Sequence, residues 1–216
     1  MDTHAPKFKI CGLTRPDDAE RAVDLGAWAL GMILWPGSAR RCPPAEAAEI
    51  GARFRRRAEI VGVFVNPTLE AVSHAAEDLA LSLIQLHGDE GPAFCGEVAR
   101  RTGCRVIKAA RVRSGADIQS LAPFHTDFHL LDSYVAGVPG GTGETFAWEL
   151  ARAHRGAPLI LSGGLTADNV GRAIAAVRPH AVDVASGVEV APGIKDPAKL
   201  EAFAAAVGAS AVVPAR

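Results

Sequence analysis

The sequence lacks the features that mark several classes of protein. Its 23 lysines and arginines are balanced by 24 aspartates and glutamates, so it has no basic excess with which to bind nucleic acid or an anionic membrane. No apolar run is long enough to cross a bilayer, and residues 1–9 contain no apolar segment typical of a signal peptide. The sequence therefore predicts a cytoplasmic protein whose partners are neither nucleic acids nor membranes.

Cysteine is scarce, and its spacing does not match the usual zinc sites. No two cysteines form a C-x-x-C pair, and no pair of histidines lies near them at zinc-binding spacing. The four are Cys11, Cys42, Cys95 and Cys104. A chain of 216 residues, 49% of them hydrophobic, can bury a core without disulfides. We therefore expect free thiols, no metal and no other cofactor.

Short, β-branched apolar runs alternate with amphipathic or alanine-rich stretches along the whole chain. The runs predict eight strands, at Phe8–Leu13, Leu30–Trp35, Ile60–Val65, Ser82–Leu86, Arg105–Ala109, His129–Leu131, Leu159–Leu161 and Ala181–Val184. The stretches between and after them predict eight helices, at Arg15–Leu25, Pro43–Arg57, Thr68–Leu79, Glu90–Arg101, Ala116–Leu121, Phe146–His154, Ala167–Val177 and Pro197–Val207.

Strict alternation of strand and helix indicates an α/β fold with parallel strands and right-handed crossovers. Eight such units fit a closed (β/α)8 TIM barrel, formed as one domain by residues 1–216 with a short C-terminal tail from about residue 208. An open doubly wound sheet is the alternative. It would need a glycine-rich turn after the first strand, and the C-G-L-T that begins at Cys11 is not one.

Polar residues and glycines follow the predicted strands, at the end of the barrel where active sites lie. The turns after strands seven and eight contain Gly163, Gly164, Ser186 and Gly187. Glycine lets backbone N–H groups approach phosphate oxygens closely, so these turns predict a phosphate site. The polar residues after earlier strands include Arg40, Asn66, His87 and Arg111. Since His87 follows Gln85 at strand spacing, both are expected to point into the barrel.

Cys11 and Asp132 lie at the ends of the first and sixth predicted strands, on opposite sides of the barrel. An unpaired carboxylate after Phe128, Leu130 and Leu131 is costly to bury. A thiol and a carboxyl that face each other across a substrate can act as base and acid in proton transfers. Lys9 lies two residues before Cys11 and also points inward. We predict that Lys9 pairs with Asp183 on the adjacent eighth strand and helps to hold Cys11 as a thiolate.

Several motifs resemble those of the phosphoribosylanthranilate isomerase family, collinearly from about Lys7 to Phe203. The most specific are K-I-C-G-L-T from Lys9 and D-V-A-S-G-V-E from Asp183. The others are P-G-S-A-R ending at Arg40, G-V-F-V-N ending at Asn66, Q-L-H-G from Gln85, L-D-S around Asp132, G-G-T-G at 140–143 and L-S-G-G-L around Gly163. The resemblance implies an Amadori rearrangement in tryptophan biosynthesis, from N-(5-phosphoribosyl)anthranilate to 1-(2-carboxyphenylamino)-1-deoxyribulose 5-phosphate.

The resemblance also implies roles for individual residues. Asp132 would be the general acid that protonates the furanose oxygen and opens the ring to a Schiff base. Cys11 would be the general base that removes the proton from C2′, and Arg40 would hold the anthranilate carboxylate. The remaining substrate-binding residues would be His87 and, around the phosphate, Gly163, Gly164, Ser186 and Gly187. The partner is this small molecule, and the chain would act as a monomer or a homodimer.

One departure from the family pattern and two alternative functions accompany this resemblance. Ala147 stands in the F-A-W stretch where the family usually has aspartate, which bears on closure of the preceding loop. A related aldose isomerase of the histidine pathway would have aspartate in place of Cys11. A phosphosugar-binding barrel without activity would keep the glycine turns and have no use for an acid–base pair.

Overall fold

Eight parallel strands close into a barrel in the computed structural model. The structure describes residues 6–132 and 143–210, and for residues 143–147 it describes the backbone alone. The strands are β1 Lys7–Cys11, β2 Ala29–Ile33, β3 Glu59–Phe64, β4 Leu83–Leu86, β5 Arg105–Arg111, β6 Phe128–Asp132, β7 Leu159–Ser162 and β8 Ala181–Val184. Each strand pairs with the next, and β8 pairs with β1. The predicted fold class is confirmed.

A helix follows each strand of the barrel. The helices are α1 Pro16–Asp24, α2 Pro44–Phe54, α3 Leu69–Asp78, α4 Pro92–Thr102, α5 Gly115–Gln119, α6 Gly143–Arg152, α7 Val170–Val177 and α8 Pro197–Ser210. Proline begins α1, α2 and α4, where its fixed φ suits the first turn. None of the helices in the described residues is long and apolar enough to span a membrane.

Two separate apolar cores hold the barrel together. One lies inside the barrel, where alternate strand residues such as Val61, Ile107, Leu130 and Ile160 pack against one another. The larger one lies between the strands and the surrounding helices. Because successive side chains of a strand point to opposite sides, the inward residue at each strand end reaches the mouth of the barrel. This parity places the polar residues at the mouth.

A short antiparallel hairpin after β8 was not predicted. Its strands are β9 Glu189–Ala191 and β10 Ile194–Lys195, which precede α8. Strands of two or three residues are too short to show an alternating pattern in the sequence. A three-residue 3₁₀ turn at Ser186–Val188 connects β8 to this hairpin.

Several predicted boundaries differ from the structure, among them those of α2, α7 and α8. Helix α2 ends at Phe54 instead of Arg57, and Arg57, beyond its end, pairs with Asp24 at 2.8 Å. Helix α7 begins at Val170 because Asn169 Oδ1 accepts a hydrogen bond from the backbone of Thr166 and holds the preceding turn. Helix α8 extends to Ser210, while residues 211–216 and the predicted G-G-T motif at 140–142 lie outside the described residues.

Gly51 of α2 is expected to be essential for packing α2 against the end of α3. A Cβ at this position would lie 2.1 Å from the carbonyl oxygen of Leu79. We expect Gly51→Ala to lower the free energy of unfolding by about 1–3 kcal/mol through overpacking. Gly96→Ala in α4, where a Cβ would meet nothing within 4 Å, should instead raise it by about 0.5–1 kcal/mol. Urea denaturation of both variants measures the difference, and equal stabilities would contradict it.

Candidate active site

A buried ion pair joins β1 to β8 inside the barrel. Lys9 Nζ lies 2.7 Å from Asp183 Oδ1, and the two side chains are 0% and 6% exposed. Ser162, at the end of β7, donates a hydrogen bond to Asp183 Oδ2 at 3.1 Å. A buried ammonium without a partner would be strongly destabilising. The ion pair predicted from strand spacing is therefore confirmed.

Cys11 lies two residues beyond Lys9 on the same face of β1 and is buried. Glycine in β2 leaves space for both side chains, because a Cβ at Gly31 would lie 3.0 Å from Cys11 Sγ and from Lys9 Nζ. Burial raises the pKa of the Cys11 thiol, and the charges of Lys9 and Lys195 oppose this increase without cancelling it. Lys9 thus favours the thiolate, as predicted, but its charge does not bring the pKa of Cys11 below the ordinary value of a cysteine.

Asp132 faces the barrel mouth from the end of β6, two residues beyond the interior residue Leu130. His87 Nε2 lies 3.5 Å from Asp132 Oδ2. Behind it, Gln85 Nε2 donates to His87 Nδ1 at 3.0 Å, so a neutral ring carries its proton on the nitrogen that faces Asp132. Arg111 is the neighbour of Asp132 in the β5–β6 ladder. Gln85 and His87 thus line the barrel as expected.

A second buried ion pair fixes the turn that carries His87. Lys108 of β5 donates both to Glu90 Oε2 and to the carbonyl oxygen of Gly88, each at 2.7 Å. The Glu90 carboxylate also accepts hydrogen bonds from the backbone N–H groups of Gly88, at 2.9 Å, and Asn66, at 2.8 Å. The ends of β3, β4 and β5 are therefore locked together behind the site.

Arg40 lies over Gly12, the residue after Cys11, where a Cβ would be 3.0 Å from Arg40 Cδ. Its Nε and Nη2 bind the Glu189 carboxylate at 2.9–3.0 Å. Lys195 donates to the same carboxylate at 2.9 Å and to the carbonyl oxygen of Cys11 at 2.6 Å. Although burial opposes it, hydrogen bonds from Arg40 and Lys195 lower the pKa of Glu189, so this residue remains ionised.

The two glycine-containing turns after β7 and β8 pack against each other. Gly163 and Gly164 have φ values of 96° and 62°, a region that favours glycine. A Cβ at Gly187 would lie 1.9 Å from the carbonyl oxygen of Leu165, so no side chain fits there. Asn169 Nδ2 donates to the carbonyl oxygen of Gly164 at 2.9 Å and holds the first turn in shape. The arrangement suits close approach of the backbone to an anion.

The structure brings most predicted site residues to one end of the barrel and adds others. Ser186 begins the 3₁₀ turn after β8, next to Gly187. Asn66 caps a turn, because its Oδ1 accepts a hydrogen bond from the backbone of Asp89 at 2.7 Å. Among the described residues, no group of three His, Cys, Asp or Glu side chains is placed to hold a metal ion.

Four site residues were missed by reasoning from sequence. They are Glu90, Lys108, Asn169 and Lys195, and all four are buried. Glu189 appeared only as the last letter of a motif, without a role. The sequence does not distinguish a buried charged residue from a solvent-exposed one, so the partners of such a residue become apparent only in the structure.

We expect the Cys11 thiol to be protonated at neutral pH and to ionise only in the alkaline range, because burial raises its pKa above the ordinary value of a cysteine. Thiolate absorbs in the ultraviolet where thiol does not, so the difference between the native chain and Cys11→Ser isolates this titration. Burial raises the pKa values of Cys42 and Cys95 to about 12 and about 11, which keeps them silent over this range. Cys104→Ser is the control for removal of a remote thiol. A Cys11 thiolate signal at pH 7 would contradict the expectation.

Comparison with known proteins connects this site to one enzyme family. The model of the family described as N-(5'phosphoribosyl)anthranilate (PRA) isomerase matches residues 8–206. The N-(5'-phosphoribosyl)anthranilate isomerase of Pseudomonas putida (strain GB-1) is 48% identical over 203 residues, which cover 93% of this chain and 97% of that protein. The protein of the same name from Citrifermentans bemidjiense is 46% identical over 195 residues, 90% of this chain and 93% of that protein.

Solved structures agree with this match. The phosphoribosyl anthranilate isomerase of Thermotoga maritima is 38% identical with a TM-score of 0.85, covering 94% of this chain and 99% of that one. A phosphoribosyl anthranilate isomerase in complex with reduced 1-(o-carboxyphenylamino)-1-deoxyribulose 5-phosphate is 35% identical, with a TM-score of 0.81 and the same coverage. Because the family model spans nearly the whole barrel, the chain belongs to the N-(5'-phosphoribosyl)anthranilate isomerase family.

Proposed function

We propose that this chain catalyses the Amadori rearrangement of N-(5'-phosphoribosyl)anthranilate to 1-(2-carboxyphenylamino)-1-deoxyribulose 5-phosphate, a step of tryptophan biosynthesis. The observation that carries the proposal is the placement of one thiol and one carboxyl, Cys11 and Asp132, at the strand ends of a single barrel mouth. The same mouth carries the two glycine turns after β7 and β8. A phosphosugar that must gain one proton and lose another fits this set.

Asp132 is the general acid of the first step. Its protonated carboxyl gives a proton to the furanose ring oxygen, the bond between that oxygen and C1′ breaks, and the nitrogen lone pair forms the C=N bond of the Schiff base. Asp132 is left as a carboxylate. His87, whose Nε2 lies 3.5 Å away, stabilises this negative charge. Gln85 supports the role by fixing the ring so that Nε2–H points at Asp132.

Cys11 is the general base of the second step. Its thiolate removes the proton from C2′, and the electrons of that C–H bond form the C1′=C2′ bond. The π electrons of the C=N bond return to nitrogen, so the Schiff base becomes an enolamine that tautomerises to the ketone. The charges of Lys9 and Lys195 favour the thiolate, while burial makes it a stronger base once it has formed. A thiol in this role must stay reduced, which supports the cytoplasm as the proposed location.

Arg40 and the glycine turns hold the two ends of the substrate. Arg40 lies next to Cys11 across Gly12, which suits recognition of the anthranilate carboxylate close to the reacting carbons. At the other side, the backbone around Gly163, Gly164 and the Ser186–Val188 turn receives the phosphate. The two charged groups of the substrate are thereby fixed on either side of C1′ and C2′. The active form is a monomer or a homodimer.

Substitution of the acid or the base should reduce turnover without preventing binding. We expect Asp132→Asn and Cys11→Ser each to lower kcat about 10²–10⁴-fold, the usual contribution of general acid–base catalysis. Serine fails because a hydroxyl supplies almost no anion at neutral pH. The assay follows anthranilate fluorescence on freshly generated substrate. Cys104→Ser, a substitution of the same kind outside the barrel, should keep wild-type activity. A Cys11→Ser variant with more than about a tenth of the wild-type kcat would contradict the assignment.

Loss of the Arg40 side chain should act mainly on substrate binding. If its contact with the carboxylate is equally strong in the ground and transition states, Arg40→Ala raises KM and changes kcat little. Removal of a charge-assisted hydrogen bond corresponds to a KM increase of roughly 10- to 100-fold. Arg41→Ala, which removes the adjacent exposed arginine, is the matched control and should leave both constants unchanged. A fall in kcat with unchanged KM would assign Arg40 to the chemical step instead.

A further inference from the structure

Within the residues that the structure describes, the Arg40 guanidinium is engaged along only one of its edges. Its Nε and Nη2 bind the two oxygens of Glu189, at 2.9–3.0 Å. A guanidinium carries five N–H donors, so the Nη1 pair and the second Nη2 hydrogen point away from this contact. Glu189 bonds no Nη1 hydrogen, and the Arg40 side chain is 29% exposed whereas that of Glu189 is 5% exposed. The open edge of the guanidinium therefore faces away from the protein interior.

Glu189 is itself held by contacts on several sides. Its carboxylate accepts a hydrogen bond from buried Lys195 at 2.9 Å and one from the backbone of Gly193 at 3.2 Å. Its own carbonyl oxygen accepts from Lys199 at 2.7 Å. The hairpin turn is attached to the loop after β1, because Thr14 Oγ1 donates to the carbonyl oxygen of Gly193 at 2.5 Å. These contacts hold the Glu189 carboxylate in place, so it can orient the Arg40 side chain that binds it.

The charges of this cluster do not cancel. Arg40 and Lys195 each carry one positive charge and Glu189 carries one negative charge, which leaves a net charge of +1 beside Cys11. The three N–H donors of the Lys195 ammonium are all used, since it also donates to the carbonyl oxygens of Cys11 and Ala185 at 2.6 and 3.1 Å. The residual positive charge is therefore presented by the open edge of Arg40.

We propose that Glu189 is a positioning residue that sets specificity for the carboxylate of the substrate. Glu189 binds one edge of the Arg40 guanidinium and so orients the other edge, which carries two parallel N–H groups. A carboxylate pairs best with arginine when its two oxygens accept from two such parallel groups. Orienting the side chain in advance also avoids the loss of rotamer freedom on binding. The inference rests on the proposed function, because it takes the aryl carboxylate of that substrate as the group Arg40 receives.

A matched pair of ligands isolates this role. The first ligand is reduced 1-(o-carboxyphenylamino)-1-deoxyribulose 5-phosphate, which is bound in the solved structure of a relative. The second is the same compound without the carboxylate, made from aniline. Calorimetry gives the Kd of both for the wild type, Glu189→Gln and Arg40→Ala. The ratio of the two Kd values measures recognition of the carboxylate and is insensitive to a general loss of affinity.

We expect the wild type to bind the carboxylated ligand about 10- to 100-fold more tightly than its counterpart, as for a charge-assisted bidentate pair. In Glu189→Gln, and likewise in Arg40→Ala, this advantage should fall below about threefold, since loss of an orienting partner typically costs 10- to 100-fold. Binding of the ligand without the carboxylate should change little in either variant. Glu59→Gln, which removes a partner of Arg105 at the start of β3, is the control for loss of a Glu–Arg pair and should keep the wild-type ratio.

Three results would overturn the inference. Equal weakening of both ligands in Glu189→Gln would mean that Glu189 only holds the hairpin in place. A larger advantage for the carboxylated ligand would mean that Glu189 competes with the ligand for Arg40. A wild type that does not distinguish the ligands would remove the carboxylate from the role of Arg40. If Glu189→Gln does not fold, Glu189→Asp is compared in the same way. Aspartate keeps the negative charge but, with a side chain shorter by one methylene, holds it farther from Arg40.

The failure of the proposed function would be visible separately. A wild type that does not rearrange N-(5'-phosphoribosyl)anthranilate in the fluorescence assay would overturn the activity, whatever the binding ratios are. Full activity together with unchanged ratios in Glu189→Gln would overturn only the role of Glu189.

Discussion

The buried pair of Lys9 and Asp183 is the interaction on which the rest of the active site depends. Charges cannot be left unpaired inside an apolar barrel, and breaking such a pair by removing one partner typically costs about 3–5 kcal/mol. The pair links β1 to β8, the two strands that close the barrel. Ser162 of β7 donates a hydrogen bond to the Asp183 carboxylate of this pair. Cys11 lies two residues beyond Lys9 on the same strand, so the charges of both members of the pair act on its thiol.

Burial and positive charge act in opposite directions on the thiol, and burial prevails in the unliganded barrel. This balance has a chemical logic. A thiol with a strongly lowered pKa is mostly ionised, but its thiolate is a weak base. A thiol whose pKa is raised by burial is ionised in only a small fraction of molecules, but that thiolate is a strong base. The charges of Lys9 and Lys195 both act to lower the pKa of Cys11, but they do not outweigh the effect of burial. The site therefore holds the pKa of Cys11 above the ordinary value of a cysteine, and the two ammonium groups reduce this increase.

Sequence reasoning identified the fold and the inward residues because both follow from strand parity and from alternation of strand with helix. Cys11, Lys9, Asp132 and Asp183 lie at strand ends, where a spacing of two residues fixes which way a side chain points. The direction of the Cys11 pKa shift could not be predicted in this way, since it depends on how completely the thiol is desolvated. The hairpin with Glu189 was also missed, because its strands are too short to leave a periodic pattern.

The contact between Lys195 and the carbonyl oxygen of Cys11 joins residues 184 positions apart in the chain. Such distant contacts form late, because the entropy of closing the intervening loop must be overcome first. During synthesis, Cys11 leaves the ribosome early, but its surroundings are complete only when the hairpin after β8 has emerged. A nascent or truncated chain that ends at β7 would thus expose this thiol to solvent, where it is available to oxidants from which the closed barrel shields it.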